Sequence, residues 1–168
     1  MSKFSSSRLI LKRKKLIDTD EHGFEGGKNF VSTFDPMIRT SILSGSTFAA
    51  LAVILGAMGA HALKQGGQLT DVQLNSWDTG SRYQMYHALT LIIVGILAKV
   101  FGESKILKAA MWLFIIGIVF FSGSLYLLST TAITGIGTAA IGPITPIGGM
   151  LFITGWLCLI IAVIRRKI

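Results

Sequence analysis

The histidine, arginine and tyrosine side chains near the ends of long apolar runs could bind a ligand or carry a proton. Two copies of His-Ala-Leu begin at His61 and His87, and each stands near the end of such a run. Polar side chains at this depth of a membrane bundle usually face its interior and pair with one another. The sequence therefore predicts a polar cluster, either structural or ligand-binding. Its members are His61, Arg82, Tyr83, Tyr86, His87 and Tyr126.

Such a cluster is suited to few kinds of chemistry. Zinc requires three or four protein ligands, and the other candidates, His22 and the single Cys158, lie in distant parts of the sequence. A haem would need room between helices, and neither His-Ala-Leu motif contains a carboxylate to orient the imidazole. The apolar runs contain no Asp or Glu, and the chain has no G-x-S-x-G motif or nucleotide-binding loop. We predict no metal, no cofactor and no catalytic residue, and expect a protein that is not an enzyme.

The composition is typical of a membrane protein. Of 168 residues, 51% are hydrophobic and only 14% are charged, whereas soluble domains have about 25% charged residues. The formal net charge is +8, but the basic residues flank the apolar runs, as membrane topology requires. The charge therefore predicts an orientation in the bilayer and not binding to nucleic acid.

Four apolar runs are each long enough to cross a bilayer as a helix. The segment Thr70-Asp71-Val72-Gln73 has the pattern of a capping box, which predicts a short interfacial helix with a break near Gly80. The sequence thus predicts an all-α integral membrane four-helix bundle with a short interfacial helix between spans 1 and 2. The spans are predicted at residues 42–63, 83–101, 106–128 and 147–164.

Small residues recur every four positions in the first span. Gly45 is followed by Ala49, and Ala52 by Gly56 and Ala60. Residues at this spacing share a helix face and let another helix approach closely. We interpret Ala52, Gly56 and Ala60 as helix-packing positions, within the chain or in a contact between copies.

An uncharged segment rich in Gly, Thr and Pro, residues 129–149, connects the last two spans. Backbone that is not helical can lie at membrane depth only where protein or water satisfies it. The segment is therefore either folded onto the bundle or an ordinary exposed loop.

Residues 1–36 differ from the membrane domain, residues 37–168. They are rich in Ser, Lys and Gly and contain a basic block, so we predict a basic, disordered cytoplasmic tail. Three alternatives stay open: a patch that binds anionic lipid, a mitochondrial presequence over residues 1–17, and translation that starts at Met37. The first span could also be a signal peptide cleaved near Ala60-His61-Ala62, although its apolar region is longer than usual.

The distribution of basic residues predicts the orientation. The tail, the connector between spans 2 and 3, and the C-terminus together contain 14 Lys and Arg residues, whereas the opposite side contains only Lys64 and Arg82. Because cytoplasmic segments are enriched in Lys and Arg, both termini are expected in the cytoplasm.

Four motifs in order, GAMGAHALK, SRYQMYHAL, FSGSLYLLS and ITPIGGMLFITGW, resemble the YgdD-like family of small bacterial inner-membrane proteins, which also has eukaryotic transmembrane relatives. The resemblance covers Met37 to the C-terminus. It implies a four-helix protein of the bacterial inner membrane, or of a mitochondrial membrane in a eukaryote, and it transfers no catalytic residues.

The expected partners are the lipid bilayer and a membrane protein or second copy of the chain. We expect an accessory, interaction or lipid-organising role; the alternative is a small transporter or ligand binder that uses the polar cluster.

Overall fold

The structure, a computed structural model, describes residues 35–67, 69–135 and 138–165, and these ranges contain helices and no strand. The predictions for residues 1–34 lie outside the described residues. The elements in chain order are α1 (Pro36–Met58), a π-helical turn (Gly59–Leu63), α2 (Asp71–Phe101), α3 (Lys105–Ser129), the one-turn helices α4 (Thr131–Thr134) and α5 (Thr138–Ile141), and α6 (Ile144–Arg165).

Four stretches in the described residues are long and apolar enough to cross a membrane: Pro36–Leu63, α2, α3 and α6. The all-α four-span fold is therefore confirmed. At 1.5 Å per residue, the 31 residues of α2 extend about 46 Å. Because this exceeds a hydrocarbon core of about 30 Å, part of α2 must project beyond the core.

The start of α2 has the predicted capping box. The Gln73 N–H donates to Thr70 Oγ1 at 3.3 Å, and the Thr70 N–H donates to Gln73 Oε1 at 2.9 Å. The structure differs from the prediction further along, because no separate interfacial helix forms and α2 continues without a break through Gly80. The predicted break at Gly80 does not occur. This glycine is instead a packing position, because a Cβ there would lie 3.0 Å from Tyr126 Cε1.

Helix α1 packs against α2, α2 against α3, and α3 against α6. The α1 residues that meet α2 alternate in steps of three and four, the period of a coiled-coil seam. A Cβ on Gly45 would lie 2.7 Å from the Ala88 carbonyl oxygen, so the two helix backbones come close together here. We call these residues, together with Gly59 at the start of the π-helical turn, the α1 seam: Ile38, Ser41, Gly45, Phe48, Ala52, Leu55 and Gly59.

Of the three predicted packing residues in the first span, Ala52 is buried, Gly56 is half-buried against Ser81, and Ala60 is exposed. Steps of four residues advance 400° around a helix, so they drift away from a seam whose mean step is 3.5 residues. The packing residue at the end of the seam is therefore Gly59, where a Cβ would lie 2.5 Å from Trp77 Cδ1.

Helices α3 and α6 are joined by glycine–phenylalanine pairs in one antiparallel register. Two phenylalanine rings lie over glycines of the other helix, and added Cβ atoms at Gly117 and Gly155 would come within 2.7 and 2.8 Å of the rings. The two ring pairs are Phe152 with Gly117 and Phe114 with Gly155; a third glycine, Gly148, lies directly against the backbone of Phe121. Glycine lets each ring fill the space of a missing side chain, which brings the two backbones close together.

The described part of the uncharged segment before α6 is folded against the bundle. Ile141, at the end of α5, is 6% exposed, and the hydroxyls of Ser124 and Thr145 are 2.7 Å apart. Pro146 fits within the first turn of α6, where a backbone N–H would have no intrahelical partner. These contacts favour the first of the two alternatives for this segment.

Candidate functional site

His87 lies in an aromatic stack between three helices. The imidazole is 5% exposed, and its ring is parallel to Phe152 of α6 with the centroids 3.4 Å apart. The rings of Phe114 and Trp156 lie 5.7 and 6.3 Å away. One polar ring of α2 is thus surrounded by apolar rings of α3 and α6.

Both ring nitrogens of His87 have hydrogen-bond partners. Nδ1 lies 2.8 Å from the Tyr83 carbonyl oxygen, and the Trp156 Nε1–H donates to Nε2 at 3.4 Å. A carbonyl can only accept and an indole N–H can only donate, so these partners assign the proton to Nδ1 and leave Nε2 as an acceptor. His87 is therefore a neutral imidazole whose two nitrogens are engaged, and it has no free position for a metal or ligand.

A second network connects α1, α2 and α3 through Gln84, whose side chain is 4% exposed. Its Nε2 donates to the Phe48 carbonyl oxygen at 2.9 Å, and its Oε1 accepts from the Tyr126 hydroxyl at 3.0 Å. The Tyr126 ring in turn lies 4.6 Å from the ring of Trp77. Interhelical hydrogen bonds of this kind contribute roughly 0.6–2 kcal/mol each in a bilayer.

The six residues predicted to form one polar cluster are distributed over different environments. The rings of Tyr83 and His87 are 6.1 Å apart, and those of Tyr83 and Tyr86 are 6.0 Å apart. Tyr126 belongs to the separate Gln84 network.

The remaining two residues of the predicted cluster are exposed. Arg82 forms an ion pair with Asp78 at 2.8 Å on the outer face of α2, and His61 lies in the π-helical turn. The structure thus brings Tyr83, Tyr86 and His87 together on α2 and places the other three elsewhere.

Sequence reasoning missed Gln84, Trp77 and Trp156, although each makes a hydrogen bond between helices. An amide inside an apolar span is a signal that could have identified Gln84, because it must find partners there. The two indoles carry no such signal. Tryptophan is common at the membrane interface, where its N–H contacts water, so a buried structural role cannot be recognised from sequence.

A groove of about 190 Å³ lies where the π-helical turn passes the first turns of α2. Small residues of the first span, Gly56, Gly59 and Ala60, form one side, and Leu74 and Trp77 of α2 form the other. The Trp77 Nε1–H donates to the Leu55 carbonyl oxygen at 2.8 Å, which fixes the indole as a wall. Lys64 and Asp78 also line the groove, so it combines apolar walls with two charged side chains. π-Helical turns are frequent at functional sites.

Comparison with known proteins identifies the family. The profile of the family described as "Protein of unknown function (DUF423)" matches residues 55–149. A UPF0382 membrane protein of Staphylococcus aureus is 46% identical over 129 residues, covering 76% of this chain and 98% of the relative. The UPF0382 membrane protein YwdK of Bacillus subtilis is 43% identical over 128 residues, again covering 76% and 98%.

No solved structure matches this chain. The two relatives described are bacterial, and the resemblance to the YgdD-like family with its eukaryotic relatives stays a prediction. The matched range includes the end of the first span, all of α2 and α3, and the start of α6. The chain is a member of the DUF423 or UPF0382 family of membrane proteins.

Proposed function

We propose that this protein is not an enzyme and acts by association within the bilayer, through the face of α1 that points away from α2. The nearest partner of this kind is a second copy of the chain, and another membrane protein with a similar helix is the alternative. The sequence predicts an accessory or interaction role without a location. The proposal assigns that role to one face of α1.

The observation that carries the proposal is a pair of exposed hydroxyls in an apolar span. Ser46 and Thr47 are exposed, and neither hydroxyl has a hydrogen-bond partner within the described residues. In hydrocarbon an unsatisfied polar group is costly, and Ser and Thr at helix interfaces hydrogen-bond across to a neighbour. Their own helix offers the i−4 carbonyls as acceptors, and a second helix on this face would supply acceptors from another chain.

The shape of this face is also suited to a helix contact. Ser46, Ala50 and Ala57 are exposed, and Leu43 and Val53 complete a row with steps of three and four residues. Small residues at such spacing allow close approach of backbones. We call this row the outer face of α1.

Helix α1 is the least enclosed of the four spans. In its most apolar stretch 11% of the residues are buried, against 44% in α2, 33% in α3 and 28% in α6. On the α2–α3–α6 side, by contrast, Gln84 pairs with Tyr126, His87 with Trp156, and Ser124 with Thr145. The surface available for association is therefore on α1.

Cysteine cross-linking in native membranes tests this proposal. The natural Cys158 is replaced by Ala, and a single cysteine is introduced at Ala50. We expect an oxidative cross-link to a species of twice the mass, reduced at least several-fold by the additional changes Ser46→Ala and Thr47→Val. The matched control is Ile153→Cys in the same background, because Ile153 is 63% exposed on α6.

Equal cross-linking at both positions would indicate random collision and would contradict the proposal. With no cross-link between copies, a photoactivatable residue at Ala50 tests for a different membrane partner. Absence of any adduct there would also remove the alternative.

We further propose that the protein lies in a bacterial inner membrane with both termini in the cytoplasm. The bacterial relatives support the location, and the surplus of Lys and Arg on one side of the spans supports the orientation. The alternative of a small transporter or ligand binder built on the six predicted residues has less support, because those residues do not surround a common space.

A further inference from the structure

We propose that the groove between the π-helical turn and the start of α2 binds the phosphate group of a phospholipid headgroup, with Lys64 as the residue that recognises its charge. This site is separate from the outer face of α1, and the proposal does not rest on the proposed function.

The charges of the groove favour an anion. The Asp78 carboxylate forms an ion pair with Arg82 at 2.8 Å, and both side chains are more than half exposed. Lys64 also lines the groove, is exposed and forms no ion pair within the part of the chain that the structure describes. The groove therefore has one uncompensated positive charge, and an ammonium group is a strong point-charge partner for phosphate.

The position of the groove favours a lipid over a soluble phosphate ester. Lys64 directly follows the first span, which ends at Leu63, so the ammonium lies where the span meets the headgroup region. A phosphate bound to Lys64 would thus be at the depth at which phospholipids carry theirs.

The size and walls of the groove support the same conclusion. Its volume of about 190 Å³ is below the roughly 300–1,000 Å³ of pockets that enclose a drug-sized molecule. It has room for a headgroup whose chains stay outside. Leu74 and the small residues of the first span give the groove apolar walls, so the start of an acyl chain has apolar surface to contact.

The groove has a rigid wall that is held in place by contacts within the protein. Trp77 is held by its hydrogen bond to the Leu55 carbonyl oxygen and by close contact with Gly59, where a Cβ would lie 2.8 Å from Nε1. The wall opposite Lys64 is therefore fixed before any ligand arrives, which reduces the entropy lost on binding.

Native mass spectrometry of the purified full chain with added dioleoylphosphatidylglycerol tests the site. We expect at least one retained lipid per chain and about tenfold weaker binding in Lys64→Gln, the loss expected for one charge-assisted contact. The matched control is Lys108→Gln, because Lys108 is also exposed, at the start of α3, but does not line the groove. Dioleoylglycerol, which has the same chains and no phosphate, should bind weakly to the wild type.

A second variant distinguishes loss of the site from a folding defect. Ala60 is exposed and lines the groove, so Ala60→Phe fills the space and leaves Lys64 in place. It should lose lipid binding while it keeps the thermal stability of the wild type.

Three results would overturn the proposal: undiminished binding in Lys64→Gln, an equal loss in Lys108→Gln, or equal retention of dioleoylglycerol. Saturation of the same site by free glycerol 3-phosphate at the affinity of the lipid would overturn the assignment to a phospholipid, because acyl chains would then contribute nothing.

Discussion

At the scale of one side chain, the hydrogen-bond partners of His87 explain why this histidine has a structural role and not a chemical one. The Trp156 N–H and the Tyr83 carbonyl each engage one ring nitrogen, and Phe152 covers the ring face. A protonated imidazole would direct a second N–H at the indole donor and lose that bond. His87 therefore connects three helices and is not available to accept a proton from a substrate.

Two serines of α3 provide a contrast that can be measured. Ser122 is fully buried, and its hydroxyl has no partner among the described residues, whereas the Ser124 hydroxyl contacts Thr145 of α6 at 2.7 Å. Ser122→Ala should leave the free energy of unfolding unchanged or raise it by up to about 1 kcal/mol, because an unsatisfied polar group is removed. Ser124→Ala should lower it by roughly 0.6–2 kcal/mol.

Denaturant titration in detergent micelles, followed by circular dichroism, measures both serine variants. Each serves as the control for the other, since they lie two residues apart on one helix and lose the same hydroxyl. A loss of stability in Ser122→Ala equal to that in Ser124→Ala would mean that Ser122 has a partner, such as a buried water.

At the scale of the element, the pairing of α3 with α6 depends on glycines that receive phenylalanine rings. The motif Phe-x-x-Gly-x-x-x-Phe begins at Phe114, and Gly-x-x-x-Phe-x-x-Gly begins at Gly148. Read in opposite directions, the two motifs are complementary. The register of this helix pair is therefore set by shape, and the Ser124–Thr145 contact continues it by one further turn.

Alanine substitutions of two glycines on α3 test this packing. A Cβ at Gly117 would lie 2.7 Å from Phe152 Cδ1, whereas nothing lies within 4 Å of a Cβ at Gly123. Gly117→Ala should lower the free energy of unfolding by about 1–3 kcal/mol through overpacking. Gly123→Ala should raise it by roughly 0.5–1 kcal/mol, because alanine loses less backbone entropy in a helix.

The same denaturant titration compares the two glycine variants, and the double change Gly117→Ala with Phe152→Leu should recover part of the loss. If Gly117→Ala is as stable as Gly123→Ala, the helices are not held by these rings.

Sequence reasoning predicted the elements better than their contacts. Apolar length located four spans, and Thr70 with Gln73 identified a helix start, because both signals are local; that start was assigned to a separate interfacial helix, whereas it begins α2. Gly59 was missed in favour of Ala60, since the step of a seam depends on the partner helix. His87 was recognised, but its separation from His61 and Tyr126 was not, because three-dimensional register determines which polar residues meet. The complementary glycine–phenylalanine motifs were present in the sequence, but they acquire meaning only when the two helices are aligned.

At the scale of the whole molecule, each span packs mainly against its neighbour in the chain, in the order α1, α2, α3, α6. The His87 stack joins α2 directly to α6. The described residues contain four candidate spans, and an even number of crossings would place the two ends of the membrane domain on the same side of a bilayer. Basic residues predict that this is the cytoplasmic side.

Reporter fusions test the orientation. Green fluorescent protein fused at either terminus should fluoresce, and alkaline phosphatase fused at either terminus should be inactive, because each reporter works on one side of the inner membrane. Alkaline phosphatase inserted after Gly67, in the first connector, should be active and serves as the matched control. Opposite behaviour of the two termini would contradict the four-span topology, and inverted behaviour of all three sites would contradict the orientation.

The contact of His87 with α6 also has a consequence for assembly. A span that packs on its predecessor can find its partner as soon as it enters the bilayer, and such local pairing favours fast folding. His87 enters with α2 but receives its stacking ring and its indole donor only from α6, which is made last. The imidazole therefore lacks its Trp156 partner until synthesis of the fourth span is complete. Formation of this contact completes the His87 stack, in which α2, α3 and α6 meet.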